Sequence, residues 1–333
     1  MATIDILIPT YNGSKCIKET ILSILSQNYK NFKIIICDDA SKDDTVKVIS
    51  QIKDPRIKLI KNNQNLGYSG NLERARQFAT AKFIYLMGQD DIMATNTLKN
   101  TINAFNISPN IGAVTRPYFW FDKDINTPVR AKKQLNSKKD IIVKITDGPK
   151  KVIRVFETLD QLSGLVYRRS FMKLPFHPDI FPCHIYPFAD IFKKYPVVFL
   201  KDYNIAVRIA SSQTRSLSSI YNKSPLSSWV EMVKSIFAEK KYQKIQKYLM
   251  RNFITKNYVG LVQLRNYAKY KYFLREIWYL LKFNWTNIFQ PAFWFFSLGC
   301  ILTPVSILIP LVDWYKNKIY SKSLGYIKFQ YKL

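Results

Sequence analysis

Residues 6–45 read ILIPTYNGSKCIKETILSILSQNYKNFKIIICDDASKDDT, and their pattern decides the fold. The run IDILIP (4–9) is continuously apolar apart from Asp5, as a buried strand entering a turn should be. KCIKETILSILSQ (15–27) places Ile17, Ile21, Ile24 and Leu25 on one helical face. FKIIIC (32–37) predicts a second buried strand. SKDDTVKVISQI (41–52) predicts a helix opened by a capping box, Ser41 with Asp44 three residues later. Working outward, RIKLIK (56–61) and KFIYLM (82–87) predict strands. SGNLERARQFA (69–79) and TNTLKNTINAF (95–105) predict helices, and IGAVTRPYFWF (111–121) an extended segment. Alternation of this kind predicts an α/β fold, a Rossmann-like, mainly parallel sheet flanked by helices. Ligands of such sheets lie beyond the carboxyl ends of the strands.

Composition sets further bounds. The 333 residues suffice for one large domain or two ordinary ones, and 47% of them are hydrophobic. The net charge of +28 implies an anionic partner: nucleic acid, an acidic membrane surface or a phosphorylated substrate. Cys16, Cys37, Cys183 and Cys300 are scattered, with no CxxC pair, which predicts a reducing compartment. The chain opens almost directly on a strand, so no signal peptide is read and a cytoplasmic catalytic part is expected. Residues 122–150 are polar with little period and predict a loop over one sheet edge. Residues 151–222, with Pro175, Pro178, Pro182, Pro187 and Pro196, predict loops and short helices closing a pocket.

Three polar clusters fall at predicted strand ends: PTYNGS (9–14), CDDASKDD (37–44) and GQDD (88–91). Asp90 and Asp91 are adjacent like charges, which repel. A hard cation removes that repulsion, because Mg²⁺ or Mn²⁺ binds through one or two carboxylates plus substrate phosphates. A diphosphate leaving group needs such a cation as negative charge grows on it. The alternative is a solvated turn capping the next helix. A dinucleotide-dependent oxidoreductase should carry GxGxxG after the first strand, where PTYNGS has one glycine. A nucleic-acid-binding protein would share the charge but would not explain acids at two strand ends.

These motifs, with NLGYSGNLERA (65–75) between the second and third clusters, resemble the start of a family 2 glycosyltransferase with the GT-A fold over residues 3–120. The resemblance implies that Pro9, Thr10 and Tyr11 line the nucleotide. It implies that Asp39 accepts a hydrogen bond from the base, with Asp38 near the ribose, and that Gly67 and Asn71 approach the nucleotide or sugar. Asp90 matches the metal-binding second acid of the family's Asp-x-Asp motif; Gly88 and Gln89 stand where the first acid is missing, and Asp91 is the acid left to compensate. About 100 residues on, the family places a catalytic base at a helix start. Asp190 in YPFADIFKK (186–194) fits that spacing; the plainer role is an N-cap. Ser163 and Gly164, in LSGLVYRRS (162–170), would let the backbone approach the donor sugar. Arg168, Arg208, Gln213 and Arg215 are diphosphate candidates. Ala210 stands in the region where many relatives carry a metal-binding His, and neither His177 nor His184 has ligand spacing with a second His.

The resemblance implies a nucleoside-diphosphate sugar as donor, UDP or dTDP, and inversion at the sugar. It divides residues 1–222 into a nucleotide-sugar half (1–120) and an acceptor half (121–222). Residues 223–283 predict basic amphipathic helices, and 284–333 a hydrophobic segment with a basic tail. From residue 223 on, 18 Lys and Arg stand against four Asp and Glu, half of the net charge. Lysines interleaved with aromatics in residues 229–258 suit an anionic membrane surface. PAFWFFSLGCILTPVSILIPLV (291–312) is uncharged over 22 residues, enough to span a bilayer. Pro304 and Pro310 interrupt it, and a single span would carry the lysines after residue 315 outside, against the positive-inside tendency. A monotopic, re-entrant or interfacial arrangement through residues 284–315 is therefore expected; the alternatives are a single span and a buried soluble helix. Together these features predict a glycosyltransferase at the cytoplasmic face of the membrane, acting on a lipid-linked (polyprenyl-diphosphate) saccharide and not on nucleic acid. The alternative within the family is direct transfer to polyprenyl phosphate.

Overall fold

Strands and helices alternate from the first residues on. In chain order they are β1 (Ile4–Thr10), α1 (Ile17–Leu25), β2 (Phe32–Asp38), α2 (Thr45–Ser50), β3 (Ile57–Lys61), α3 (Gly67–Gln77), β4 (Phe83–Leu86), β5 (Ile92–Met93) and α4 (Thr97–Asn106). There follow β6 (Ala113–Thr115), β7 (Phe119–Phe121), β8 (Pro128–Ala131), β9 (Ile141–Val143), α5 (Pro149–Phe156), β10 (Val166–Arg168), α6 (Ile185–Lys194), β11 (Val197–Phe199) and β12 (Ile205–Arg208). The structure is a computed structural model that describes residues 2–209 and 219–333.

Eight strands form one sheet in the order β3-β2-β1-β4-β10-β6-β11-β9. β1 pairs in parallel with both β2 and β4, and β2 with β3. β10 runs antiparallel between β4 and β6, so the sheet is mixed. Alternate residues of the central strands, Ile4, Ile6 and Ile8 of β1 with Ile34 and Ile36 of β2, enter one core with Ile17, Ile21 and Ile24 of α1. Chain order reverses direction between β1 and β4, which makes their carboxyl ends the natural crevice for a ligand. A second sheet, β5-β12-β7-β8, lies over its own apolar cluster of Ile92, Phe119, Phe121, Tyr203 and Ala206.

The chain divides into two units, Met1–Ser211 together with Leu324–Leu333, and Ser212–Ser323. The last ten residues thus belong with the sheets and not with the hydrophobic segment before them. Residues 122–150 are not one loop: β8 pairs with β7, and β9 with β11. The capping box at 41–44 does not form either. α2 starts at Thr45, and Ser41 turns back to Asp38 instead.

The second unit is helical: α7 (Pro225–Ile236), α8 (Gln243–Asn252), α9 (Gly260–Tyr267), α10 (Tyr270–Phe283), α11 (Pro291–Leu302) and α12 (Val305–Trp314). Ser224 caps α7 by accepting from Ser227 N, and buried Glu276 of α10 accepts from Ser224 Oγ and Leu226 N, which fastens α10 to that helix start. The uncharged run breaks at Thr303–Pro304, since Pro304 has no N–H to continue the ladder. α11, with 12 residues, measures about 18 Å against a hydrocarbon core of about 30 Å. No helix of the described residues is long and apolar enough to cross a membrane. Large apolar side chains stand exposed along this stretch, Trp285, Phe289, Phe295 and Leu302 each by about 70% or more of their surface.

Candidate active site

The turns after β1, β2, β3 and β4 are stitched into one floor. Tyr11 N donates to Gln89 Oε1 at 3.0 Å, and Gln89 Nε2 returns a bond to Tyr11 O at 3.1 Å. This clasp spans 78 residues and sets the GQDD turn against the PTYNGS turn. Asn12 N donates to Ser41 Oγ, Gly13 N to Thr45 Oγ1, and Ser14 N to Asp43 Oδ2, which joins the first turn to the second. Asp38 accepts from Ser41 N and Oγ. Asp39 Oδ1 accepts from Leu66 N and Asn62 Nδ2 at 2.8 and 2.9 Å, drawing in the turn after β3. Asn71 Nδ2 donates to Cys37 O at 2.8 Å and reaches Thr10 O at 3.4 Å, bracing the ends of β2 and β1. Gly67 starts α3 with φ +73°, a conformation glycine adopts without strain. Pro9, Thr10, Tyr11, Asp38, Asp39, Gly67, Asn71 and Asp90 therefore share one end of the sheet. Gln89, read in the sequence only as a missing acid, is the side chain that joins two of the turns.

The paired acids divide into two environments. Asp90 is half-buried, whereas Asp91 is almost wholly buried. Ser163 Oγ donates to Asp91 Oδ2, and Arg208 N donates to Asp91 Oδ1 at 3.1 Å. Burial, and then the neighbouring Asp90 charge, push the Asp91 carboxyl up to about 8. Arg208 also donates from Nε to Asp90 O at 3.2 Å and pairs with Glu19 of α1. Both oxygens of Asp91 thus accept hydrogen bonds from protein, unlike the exposed pair of carboxylates that the sequence suggests.

Gly88 shows why the first acid is missing. A Cβ there would lie 2.9 Å from Asp91 Oδ2 and 3.2 Å from both Asp90 Oδ1 and Ser163 Oγ. Gly88 N also donates to Ser163 Oγ at 2.7 Å. Putting an acid back would displace the Ser163–Asp91 contact and add a negative charge beside Asp90. Gly88→Asp is expected to cost about 2 kcal/mol of stability and to lower turnover, not raise it; denaturant melts and a transfer assay check this.

Behind this floor lies a buried cation. Arg116, fully buried, donates to the carbonyls of Thr158 at 3.0 Å, Gln161 at 2.9 Å and Ser163. Its guanidinium lies 4.7 Å from the Tyr118 ring centroid. Burial pushes its pKa down, while Tyr118, Tyr85, Asp160 and Asp91 oppose that shift. Gly164 has φ +88°, and a Cβ on it would meet Arg116 Nε at 2.5 Å. Its missing side chain makes room for Arg116, where the sequence reading had reserved it for a sugar.

Arg168 lies away from these turns. Arg168 pairs with Phe83 at the entering end of β4, donates to Ile111 O at 2.7 Å and packs over Phe83, Phe105 and Phe171. That is the end of β4 opposite to Gly88–Asp91, so it is not a diphosphate contact. Gln213 and Arg215, with Ala210, fall outside the described residues. Asp190 is neither an N-cap nor at a helix start: it is the sixth residue of α6, buried, with Lys194 Nζ at 3.2 Å and Lys193 Nζ at 3.7 Å.

His184 precedes α6 and is structural. Its Nε2 lies 2.9 Å from Leu159 O, so Nε2 carries the proton. Burial lowers its pKa to about 4 from the ordinary 6.5. The unfolded chain therefore binds more protons between those values. The stability from keeping His184 neutral is complete above pH 6.5 and is lost as pH falls toward 4, about 3 kcal/mol in all. The acid limb of the stability curve should flatten in His184→Gln, followed by thermal melts across pH 4–7.

Among the described residues, no three His, Cys, Asp or Glu side chains gather where they could hold a metal ion. With Asp91 engaged, the donor set fits a hard cation bound through Asp90 and completed by substrate oxygens and water.

Residues 5–157 match the family model Glycosyl transferase family 2. The Escherichia coli protein named UDP-Glc:alpha-D-GlcNAc-diphosphoundecaprenol beta-1,3-glucosyltransferase WfaP is 43% identical over 103 residues, 31% of this chain and 41% of that protein. The chain spans about two fifths of the length of such curated relatives. Among solved structures, S. aureus TarS 1-349 in complex with UDP-GlcNAc is similar with a TM-score of 0.61 at 15% identity, covering 98% of this chain and 90% of that one. Mannosyltransferase PcManGT from Pyrobaculum calidifontis, in complex with GDP-Man and Mn²⁺, gives 0.54 at 14% identity, covering 97% and 86%. At such identities the likeness concerns the fold, which is GT-A. Residues 5–157, which hold all four strand-end turns, are thus similar to glycosyl transferase family 2, and the relatives named here share that stretch.

Proposed function

We propose that this protein is an inverting glycosyltransferase that moves a sugar from a nucleoside diphosphate to a lipid-linked, polyprenyl-diphosphate saccharide during glycan assembly. The observation that carries this reading is the Tyr11–Gln89 clasp, which brings the Asp90 turn against the turns that would hold a nucleotide. In this reading Pro9, Thr10, Tyr11 and Asp39 hold the nucleoside, with UDP or dTDP the expected carrier. Asp38 and Asn71 keep their turns in place. Asp90 holds Mg²⁺ or Mn²⁺ against the diphosphate, and the ion supplies charge neutralisation for the leaving group. Asp91 and Ser163 fix the Asp90 turn, and Arg208 ties it to α1. Asp190 accepts the proton of the acceptor hydroxyl as that oxygen attacks the anomeric carbon from the face opposite the diphosphate. To do so its carboxylate must exchange a lysine contact for the acceptor.

The acceptor class draws support from the printed activity of WfaP, whose acceptor is carried on diphosphoundecaprenol. The helical unit supports a membrane location: exposed Trp285, Phe289, Phe295 and Leu302 suit the interface, and lysines suit anionic headgroups. Two short helices broken at Pro304 suit a monotopic seat at the cytoplasmic face through residues 284–315.

The test is transfer from UDP-glucose or UDP-GlcNAc to acceptors in a bacterial membrane extract. Sugar should enter the lipid-extractable fraction, stop with EDTA and resume with Mn²⁺. Asp190→Asn should lower kcat about 10²-fold and leave UDP binding intact. A thermal shift given by NADH or an oligonucleotide, but by no sugar nucleotide, would overturn the reading.

A further inference from the structure

The last ten residues return to the sheet unit and lie along its second sheet. Ile327, Phe329 and Tyr331, alternate residues of an extended run, pack against Ile92, Phe119, Phe121, Tyr203 and Ala206. The Phe329 ring meets Phe119 edge to face, with centroids 5.1 Å apart. The hydroxyls of Tyr326 and Tyr203 are 3.3 Å apart. Backbone contacts fix the register of this run. Gln330 O accepts from Thr95 N at 2.9 Å and from Thr95 Oγ1 at 3.2 Å, and Lys332 O accepts from Ser26 Oγ at 2.8 Å.

What this run covers is the back of the Asp90 turn. Ile92, in the cluster, directly follows Asp91. It begins β5, a strand of only two residues, which has little stability of its own. β5 is held by its antiparallel partner β12, through Ala206 opposite Ile92 and Ile205 opposite Met93. Two residues beyond Ala206 is Arg208, whose N and Nε hold Asp91 Oδ1 and Asp90 O. Thr95 follows β5, and Ser26 follows α1, which carries Glu19, the partner of Arg208. β5, β12 and α1, three of the elements that fix the Asp90 turn, therefore touch residues 326–332 directly or through one neighbour.

We infer that Leu324–Leu333 is a positioning strap: Ile327, Phe329 and Tyr331, seated on the second sheet, hold β5 and β12 in the register that sets Asp90 for the diphosphate. The functional half of this statement rests on the proposed role of Asp90. The strap acts through Ile92 and β12.

The test uses the full chain with Phe329→Ala, and Phe329→Leu as a milder variant. Two readouts are followed. Amide hydrogen exchange at residues 91–95 and 205–208 should quicken about tenfold or more in Phe329→Ala and less in Phe329→Leu, while β1 and β2 keep their protection. The gain in UDP affinity on adding Mn²⁺ should shrink at least fivefold, while metal-free UDP binding is unchanged. An excess of synthetic peptide with the sequence of residues 324–333 should restore both. Unchanged exchange at 91–95 and 205–208 would overturn the strap. So would uniform loss of protection in both variants, which would mark Phe329 as a general core residue. A wild type with no Mn²⁺-dependent gain counts against the role of Asp90, and the exchange result still decides the strap.

Discussion

Asp90→Ala should lose about 10³-fold or more in kcat with its fold intact. In the proposed reaction the diphosphate gains charge as the sugar leaves, and an ion held by Asp90 offsets several kcal/mol of that charge. A loss of about 4 kcal/mol corresponds to about three powers of ten in rate. No other carboxylate takes over, because Asp91 already accepts from Ser163 and Arg208. Asp90 is half-buried, so its removal leaves no cavity in the core and the melting temperature should change little. Single-turnover transfer with saturating Mn²⁺, beside a thermal melt, checks both halves. Asp91→Ala should differ in kind: it frees Ser163 and Arg208 N, and its first effect should be a lower melting temperature. If Asp90→Ala retained a tenth of wild-type turnover, the ion would sit elsewhere.

The second large effect is expected far from any substrate. Arg116→Met replaces a fully buried guanidinium by an apolar chain of similar length. Three carbonyls, those of Thr158, Gln161 and Ser163, lose their donor without gaining water. Each such loss costs about 1–3 kcal/mol, and the Tyr118 face loses its cation as well. Relaxation of the 158–163 loop recovers part of this, which leaves a net cost of about 3–5 kcal/mol, within the range seen when one member of a buried charged network is removed. The melting temperature should fall by about 10 °C. Because Ser163 is carried by the released loop, Gly88 and Asp91 lose their common partner, and turnover should fall even in molecules that stay folded. Arg116→Lys should not rescue, since an ammonium lacks the planar fork that reaches three carbonyls at once. Equilibrium denaturation of the two variants checks the order.

Much of the sheet end that carries the four turns is legible in the sequence. Strands β1, β2 and β4 are apolar runs, and their ends are marked by Pro9, by Asp38–Asp39 and by Gly88–Asp91; local patterning is enough for that. What stayed hidden depends on partners distant in the chain. Gln89 could not be read as a clasp, because its partner Tyr11 is 78 residues away. Gly88 looked like a lost acid until Ser163 and Asp91 were seen to fill the space. Ser41 and Asp44 have the spelling of a capping box, yet the Asp38 carboxylate competes for Ser41 and wins. Arg168 looked available to a phosphate because charge does not reveal which end of a strand a residue occupies. β5, β8 and β9, of two to four residues, are too short for period-two alternation to register. The basic tail was grouped with the hydrophobic segment by composition, whereas the alternation of Ile327, Phe329 and Tyr331 was the available sign of a face to be covered.

The discontinuity of the sheet unit bears on how such proteins diversify. Its chain departs after Ser211 and resumes at Leu324, so the helices are inserted within one folded body and not appended to its end. An insertion has two stems. A chimaera that borrows another enzyme's helices through a single junction would also replace residues 324–333 by a foreign stretch, one never selected against Phe119 or Ile92. Two junctions, one on each side of the helical stretch, would let the guest helices change while the host keeps its own residues 324–333.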